Sequence, residues 1–414
     1  MAITGTTTRA VNRLAVRWAE AREERTAGGT ASPADEGTVF SPVGVWPLLA
    51  LLADGAHGAA RAELAGAVGL QAEECAAAAR ELLRGLTTVR GLESALGLWT
   101  ARTVELREPW AAGLPADAHG RLSGDPAVDQ LELDAWAAKR TDGLIERMPV
   151  AVGEDTQLVL ASALALRTTW LRPFDEVELA PETGPWADRV LRGLSRTSEL
   201  LDRVGVAETP DGHVTELKVL GDTAVDVHLL LGEEDMTAGQ VLRAGVGLLA
   251  DRRRVVPGFR LPYGEPGPGL RVYRSPSTQP LPPLLTAETV AFDLQAQHDL
   301  LGLHRLFGLT TARDTREGHF PGISAAPLAI GSAQQSTRAR FAAKGFRSAA
   351  VTALGAVGSA PPKPRWITTE VRAVFDRPFA FLAVHRHSRL VLTAGWVTDP
   401  EPCPDDEGWE DEAW

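Results

Sequence analysis

The sequence predicts an α+β fold on three observations: helical apolar spacing dominates the early part of the chain, strand-like runs dominate from Leu158 onward, and the two do not alternate as β-α-β units. Thr6 to Glu24 carries Val11, Leu14, Ala15 and Trp18 at helical spacing after a Thr-rich start, which predicts an amphipathic first helix. Ser41-Pro42 opens a second helix, Val43 to Ala53, closed by Asp54-Gly55; its continuous apolar character implies burial. Helical patterns follow at Gly58 to Val68, Ala72 to Leu86 and Leu133 to Glu146, with a strand-like run at Ser94 to Thr103. Leu158 to Leu166 is almost unbroken apolar sequence, which suits a strand buried on both faces in the middle of a sheet. Further strands are expected at Thr215 to Leu220, Ala224 to Leu231, Arg254 to Leu261, Thr337 to Ala342, Val371 to Phe375, Phe379 to His385 and Leu390 to Val397. No internal repeat is visible. Two segments stand apart: Leu354 to Thr369, rich in Gly, Ala and Pro, and the acidic tail Glu401 to Trp414. A long structureless loop within a compact domain is expected to be functional.

Composition narrows the function classes. The 414 residues are 44% hydrophobic and 23% charged, enough to bury a large core. A net charge of −12 argues against nonspecific nucleic-acid binding, which needs clustered Lys and Arg. Arg far outnumbers Lys, and Ala and Gly are abundant, a codon bias that fits a bacterial source. Cys75 and Cys403 make neither a disulfide framework nor a thiolate metal site. Met1 to Arg25 interleaves arginines with apolar residues and shows no signal-peptide pattern, so a cytoplasmic location is expected. The strongest apolar stretch, Val43 to Ala53, is too short for the roughly 20 residues of a membrane span. His385 and His387 share a strand face and could bind a metal, but no third ligand has fitting spacing, and they are read as a surface pair. No Gly-x-Ser-x-Gly, His-Glu-x-x-His or Cys beside a plausible His is present; no enzyme, cofactor or metal is expected.

Four stretches in order along the chain resemble signatures of the serpin family. Phe40-Ser41-Pro42-Val43-Gly44-Val45, with Gly55-Ala56-His57-Gly58 and Glu63-Leu64, resembles the family's buried second helix and the turn after it. Asp134 to Ile145 resembles the pattern Asn-x-Trp-Val-x-x-x-Thr-x-Gly-x-Ile at Trp136, Thr141, Gly143 and Ile145. Leu158 to Asp175, with Arg167-Thr168-Thr169-Trp170 and Pro173-Phe174-Asp175, resembles the central strand running to a characteristic Trp. Phe375 to Leu382 and Ala394 to Pro400 resemble the last two strands and the C-terminal end. The resemblance implies a serpin fold of three β-sheets and about nine helices in one domain, residues 1–400, followed by the acidic tail 401–414. It also implies an exposed reactive-centre loop at about 346–372.

What the resemblance implies for function is a suicide-substrate inhibitor of serine endopeptidases, monomeric, with neither nucleic acid nor membrane as partner. An extracellular location is also open by this resemblance, and a non-inhibitory serpin-fold binding protein is the alternative. Pro327 to Gly345 is similar to the strand leading into the reactive loop, which puts the hinge at Gly345, Phe346, Arg347, Ser348, Ala349 and Ala350. An inserting segment must be small and free of Pro, and Ser348 to Gly358 meets that demand. The departures are Phe346 and Arg347, where the family has Thr and Glu, and Ala343 and Lys344, where it has acids. Alternation sets Phe346, Ser348, Ala350 and Thr352 on the core side, so the bulk of Phe346 is the obstacle. Counting from Gly345 puts the scissile bond at Ser359-Ala360; counting back from Pro378 brings Arg365-Trp366 forward instead. The family's sheet-opening polar cluster corresponds to Gly44, Ser162 and Gln335, of which Ser162 and Gln335 can hydrogen-bond each other.

Overall fold

The computed structural model describes residues 3–27, 37–115, 118–150, 152–153, 156–251, 254–344 and 365–404. Among the described residues are eight α-helices: α1 (Gly5–Ala27), α2 (Pro42–Gly55), α3 (Gly58–Val68), α4 (Ala72–Leu86), α5 (Glu108–Ala111), α6 (Pro126–Arg140), α7 (Ala238–Ala250) and α8 (His304–Phe307). The first nine strands are β1 (Thr38–Phe40), β2 (Leu92–Ala101), β3 (His119–Leu122), β4 (Leu158–Leu166), β5 (Asp175–Leu179), β6 (Leu191–Ser198), β7 (Val204–Thr209), β8 (Gly212–Leu220) and β9 (Val225–Gly232). The rest are β10 (Val255–Pro257), β11 (Gly264–Gly267), β12 (Leu270–Ser277), β13 (Leu284–Val290), β14 (Phe292–Asp299), β15 (Ser332–Phe341), β16 (Trp366–Val374), β17 (Phe379–His385) and β18 (Leu390–Val397).

Three sheets use these strands in an α+β architecture. A seven-stranded sheet runs β1-β18-β17-β9-β8-β7-β10, a six-stranded one β11-β12-β16-β13-β6-β5, and a five-stranded one β14-β15-β4-β2-β3. The large apolar core joins α1, α2 and the β17–β18 hairpin, with Trp18, Trp46, Phe379 and Phe381 fully buried in it. A smaller cluster on the other side of the five-stranded sheet packs Leu133, Ala137 and Ile145 on Val159, Ala161 and Ala163. Both faces of β4 are therefore covered. Leu158, Leu160 and Leu164 look into the main core, while the alternate residues look toward α6, which explains the unbroken apolar run.

Local chemistry accounts for where element bounds differ from expectation. The helix expected at Leu133 to Glu146 begins at Pro126 and ends at Arg140. Asp125 caps it, accepting from the amides of Ala127 and Val128, and Pro126 occupies the first turn, where a missing N–H costs nothing. Asp142 (φ 49°) and Gly143 (φ 77°) then turn left-handed, and the Thr141 hydroxyl accepts from the Ile145 amide, so the chain leaves the helix there. The strand expected at Arg254 to Leu261 is only Val255–Pro257, followed by a 3-10 turn at Gly258–Arg260. Pro257 has no N–H to extend pairing, and a Cβ on Gly258 would sit 2.5 Å from Leu201 O. The strand expected at Val371 to Phe375 starts five residues earlier, at Trp366. Residues 366–372, expected in the exposed loop, instead pair with β12 from Trp366↔Ser277 to Arg372↔Arg271, which moves the loop's C-terminal limit to residue 365.

Candidate functional site: the seam of the five-stranded sheet

In the five-stranded sheet β15 and β4 run parallel, in register from Ser332↔Val159 to Thr337↔Leu164, and each has an antiparallel partner on its other side. Parallel pairing is slightly weaker per residue than antiparallel pairing. A strand running opposite to both, placed between them, would replace one parallel contact with two antiparallel ones. The chain leaves β15 at the head of this seam, so a segment turning back there has the required direction.

Gln335 and Ser162 face one another across the seam. The bond these two residues can make does not form. Gln335 is fully buried and reaches down to the start of α2: its Oε1 accepts from Ser41 N at 2.8 Å and its Nε2 donates to Ser41 O at 2.9 Å. Thr337 Oγ1 donates to the same Oε1 at 3.0 Å. Among the described residues, the buried Ser162 Oγ has no hydrogen-bond partner. It lies over Gly44, where a built Cβ would meet Ser162 Oγ at 2.2 Å and Gln335 Nε2 at 3.0 Å. Gly44 thus gives the seam its close approach to α2, and the three expected cluster residues do meet.

Two further polar residues belong to this cluster. Ser41, read in the sequence only as the opening of a helix, does not cap it by its side chain; Ser41 Oγ donates to Leu392 O at 2.7 Å. His298, on β14, pairs in register with Gln335, and its Nε2 donates to Val39 O at 2.8 Å. Burial pushes the His298 pKa down to about 4, against the smaller opposite effect of the Val39 bond, so the imidazole is neutral near pH 7. The Phe40-Ser41-Pro42 stretch held the signal for Ser41; nothing in the sequence near His298 marks it.

The head of the seam is held by the connection between β4 and β5. Trp170 Nε1 donates to Ala342 O at 2.9 Å, Trp170 N to Lys344 O at 3.1 Å, and Phe174 N to Ala343 O at 2.8 Å. Phe341 packs against Trp170 and Phe174, with ring centroids 5.0 and 5.9 Å away, and stacks on Phe292 at 5.4 Å. Arg192, on β6, makes a forked pair with Glu176 at 3.1 and 3.0 Å, and it also donates to Glu401 at 3.3 Å. The other Glu401 oxygen is 3.7 Å from Arg340 of β15.

Gly345, Phe346, Arg347, Ser348, Ala349, Ala350, Ser359 and Ala360 lie outside the described residues. On the far side of that segment Arg365 N donates to Ser277 O at 3.0 Å, and Trp366 and Ile367 begin β16, 51% and 70% exposed. The segment 345–364 therefore joins the head of one sheet to the end of another. His385 and His387 have ring centroids 5.6 Å apart, and His385 Nδ1 is 2.8 Å from Ser388 Oγ. No group of three His, Cys, Asp or Glu that could hold a metal occurs among the described residues. No described helix is long and apolar enough to cross a membrane.

Comparison with known proteins agrees with this architecture. A family model described as Serpin (serine protease inhibitor) matches residues 25–183. The protein named "Putative serpin-Z6C" of Oryza sativa subsp. japonica is 27% identical over 404 residues, covering 87% of this chain and 90% of its own. "Putative non-inhibitory serpin-10" of the same organism is 29% identical over 161 residues, 37% of this chain and 41% of its own. Among solved structures, the thermophilic serpin tengpin in its native state superposes with a TM-score of 0.73, covering 96% of this chain and 95% of its own at 13% identity. That last likeness is one of fold.

Proposed function

From the premise that this chain belongs to the serpin family, we propose that it inhibits serine endopeptidases as a suicide substrate, its segment 345–364 cleaved and then inserted as a new strand between β15 and β4. The observation that carries the reading is the parallel seam itself. β15 and β4 are the two strands an antiparallel insert would separate, and the candidate loop follows β15 directly. Insertion would add two antiparallel ladders and bury alternate side chains of the loop, a large free-energy gain that is blocked only while the loop is intact and its far end is held on β16. In the reaction, the protease serine attacks the scissile carbonyl and forms an ester, and the peptide nitrogen leaves with the C-terminal fragment. Insertion then carries the esterified protease away before water completes hydrolysis.

The pairing of residues 366–372 bears on the cleavage point. A protease must hold several residues on each side of the scissile bond in extended form. Arg365 is bonded to Ser277 and Trp366 is in the β16 ladder, so Arg365-Trp366 offers a poorer bait than Ser359-Ala360.

A second reading, a binding protein of the same fold that traps nothing, is favoured by one feature. The core-side hinge position carries the bulky Phe346, and the head of the seam already holds Trp170, Phe174, Phe292 and Phe341.

The test is to mix the protein with trypsin-like, elastase-like and subtilisin-like proteases and run denaturing gels, with the thermal midpoint of the cleaved product measured alongside. A resistant higher-mass band, with the released C-terminal peptide beginning at Ala360, is the expected result. Cleavage with no such band and no rise in the midpoint would overturn the inhibitor in favour of the binding protein.

A further inference from the structure

Three arginines lie beside the head of the seam, outside the polar cluster described above. Arg172 is on the connection between β4 and β5, Arg196 on β6, and Arg203 ends the 3-10 turn Leu201–Arg203. Hydrogen bonds chain them around one hydroxyl. Arg196 Nη1 donates to Arg172 O at 2.7 Å, and Arg172 Nη1 donates to Ser198 Oγ at 3.2 Å. That oxygen also accepts from Leu200 N at 3.0 Å, and Leu200 O accepts from Arg203 N at 3.1 Å. Arg196 lies over the Phe174 ring, its Cζ 4.3 Å from the centroid.

The charges of this group are poorly balanced. Asp202 is 3.2 Å from Arg203 Nη1, but the buried Arg203 Nε has no partner among the described residues. Neither Arg172 nor Arg196 forms an ion pair with any described residue. Burial first, then the charges of Arg172 and Arg203, push the Arg196 pKa down to about 10, as expected of a desolvated cation facing like charges. The chain that follows β15 offers no remedy, since not one Asp or Glu occurs between Lys344 and Thr369.

We propose that Arg172, Arg196 and Arg203 form a binding site for a small multivalent oxyanion of the phosphate class, and that its occupation stiffens the head of the seam. Guanidinium groups match tetrahedral oxyanions with forked N–H pairs, and Arg196 and Arg203 have donors that no described residue uses. An anion held here ties β6 and the turn Leu201–Arg203 to residues 172–174. Phe174, through its amide, and Trp170 just before it hold Ala342, Ala343 and Lys344. Binding therefore bears on the residues that must move if the sheet opens, and it holds whether or not the loop inserts.

The experiment follows the thermal midpoint of the whole chain as inorganic phosphate is titrated at constant ionic strength with sodium chloride. The expected result is a rise that saturates at millimolar phosphate. Arg172→Gln and Arg203→Gln should each raise the half-saturating phosphate concentration about tenfold, the loss of one charge-assisted hydrogen bond. Arg196→Gln should raise the midpoint in phosphate-free buffer, because it removes the most desolvated of the three like charges, and should abolish the response. A rise that grows without saturating and is equal in all four proteins is general exclusion of phosphate from the surface and overturns the site, as does no rise at all. Should Arg196→Gln fail to fold, the other two variants decide the matter.

Discussion

The contact between Gly44 and Ser162 makes a quantitative prediction for the seam. In Gly44→Ala the new Cβ would fall 2.2 Å from Ser162 Oγ, 3.0 Å from Gln335 Nε2 and 3.5 Å from Ser162 Cβ. The last of these is an ordinary contact, so most of the strain comes from the hydroxyl. Overpacking of this kind costs about 1–3 kcal/mol, and Ala in place of Gly near the start of α2 returns up to about 1 kcal/mol. Ser162→Ala removes a buried hydroxyl that has no partner, so on its own it should stabilise, by roughly 1 kcal/mol. Combined, the two substitutions remove the clash with the hydroxyl, leave the 3.0 Å approach to Gln335 Nε2 as it is in Gly44→Ala alone, and keep the helical gain. The coupling energy between them is then the clash itself, about 1–3 kcal/mol, whatever the single effects turn out to be. Urea unfolding of the wild type, both single variants and the double variant gives it directly, provided the urea slope is unchanged across the set. If the double variant lies within about 0.5 kcal/mol of additivity, the hydroxyl is not what α2 presses against, and the account of the seam's close approach fails.

Three more outcomes are expected. Arg192→Ala leaves Glu176, whose side chain is 4% exposed, without its forked partner and should cost about 3–5 kcal/mol in urea unfolding; a cost below about 1 kcal/mol would show the pair to be solvated. His298 is depressed to about 4 in the fold, from about 6.5 when unfolded, so between those pH values only the unfolded chain takes up the proton. Stability should therefore be complete above pH 6.5 and fall by about 3 kcal/mol as pH drops to 4, and His298→Gln, which keeps a donor for Val39 O, should flatten that slope. Phe346→Thr should lower the number of inhibitor molecules consumed per protease trapped, and an unchanged stoichiometry would refute the role given to the hinge.

What could be read from the sequence and what could not divide along a physical line. Gly58–Val68 and Ala72–Leu86 begin and end where sequence reading places them, because helix periodicity and stop signals are local. The Leu158 to Leu166 strand was equally legible, since burial on two faces leaves a continuous apolar run. The helix ending at Arg140 was displaced because Asp125-Pro126, a strong start, lies ahead of its apolar residues, and because Asp142-Gly143 breaks it before they run out. The strand bound at Trp366 was hidden for a different reason. Trp366, Ile367, Thr369, Glu370 and Arg372 are not deeply buried, and their order comes from hydrogen bonds to β12, which is almost a hundred residues away in the chain.

The polar cluster shows the same division inside a single site. Gly44, Ser162 and Gln335 could be named from a resemblance, but their bonding could not, because it depends on Ser41, 294 residues from Gln335. Ser41 N and Thr337 Oγ1 fill the Gln335 Oε1, Nε2 donates to Ser41 O, and among the described residues Ser162 Oγ has no partner. The consequence is an asymmetric seam. Polar anchoring to α2 lies wholly on the β15 side, and the β4 side contributes only packing and an unpaired hydroxyl. If the strands part, β4 can slide over Gly44 without breaking a side-chain hydrogen bond, whereas β15 stays tied to Ser41. Opening should therefore move β4 with β2, β3 and α6 as one unit and leave β15 and β14 in place. Amide hydrogen exchange before and after loop cleavage tests this: protection should change in α6 and stay the same at Ser41 N, which is bonded to Gln335 Oε1, and a change at Ser41 with none in α6 would reverse the assignment of the moving half.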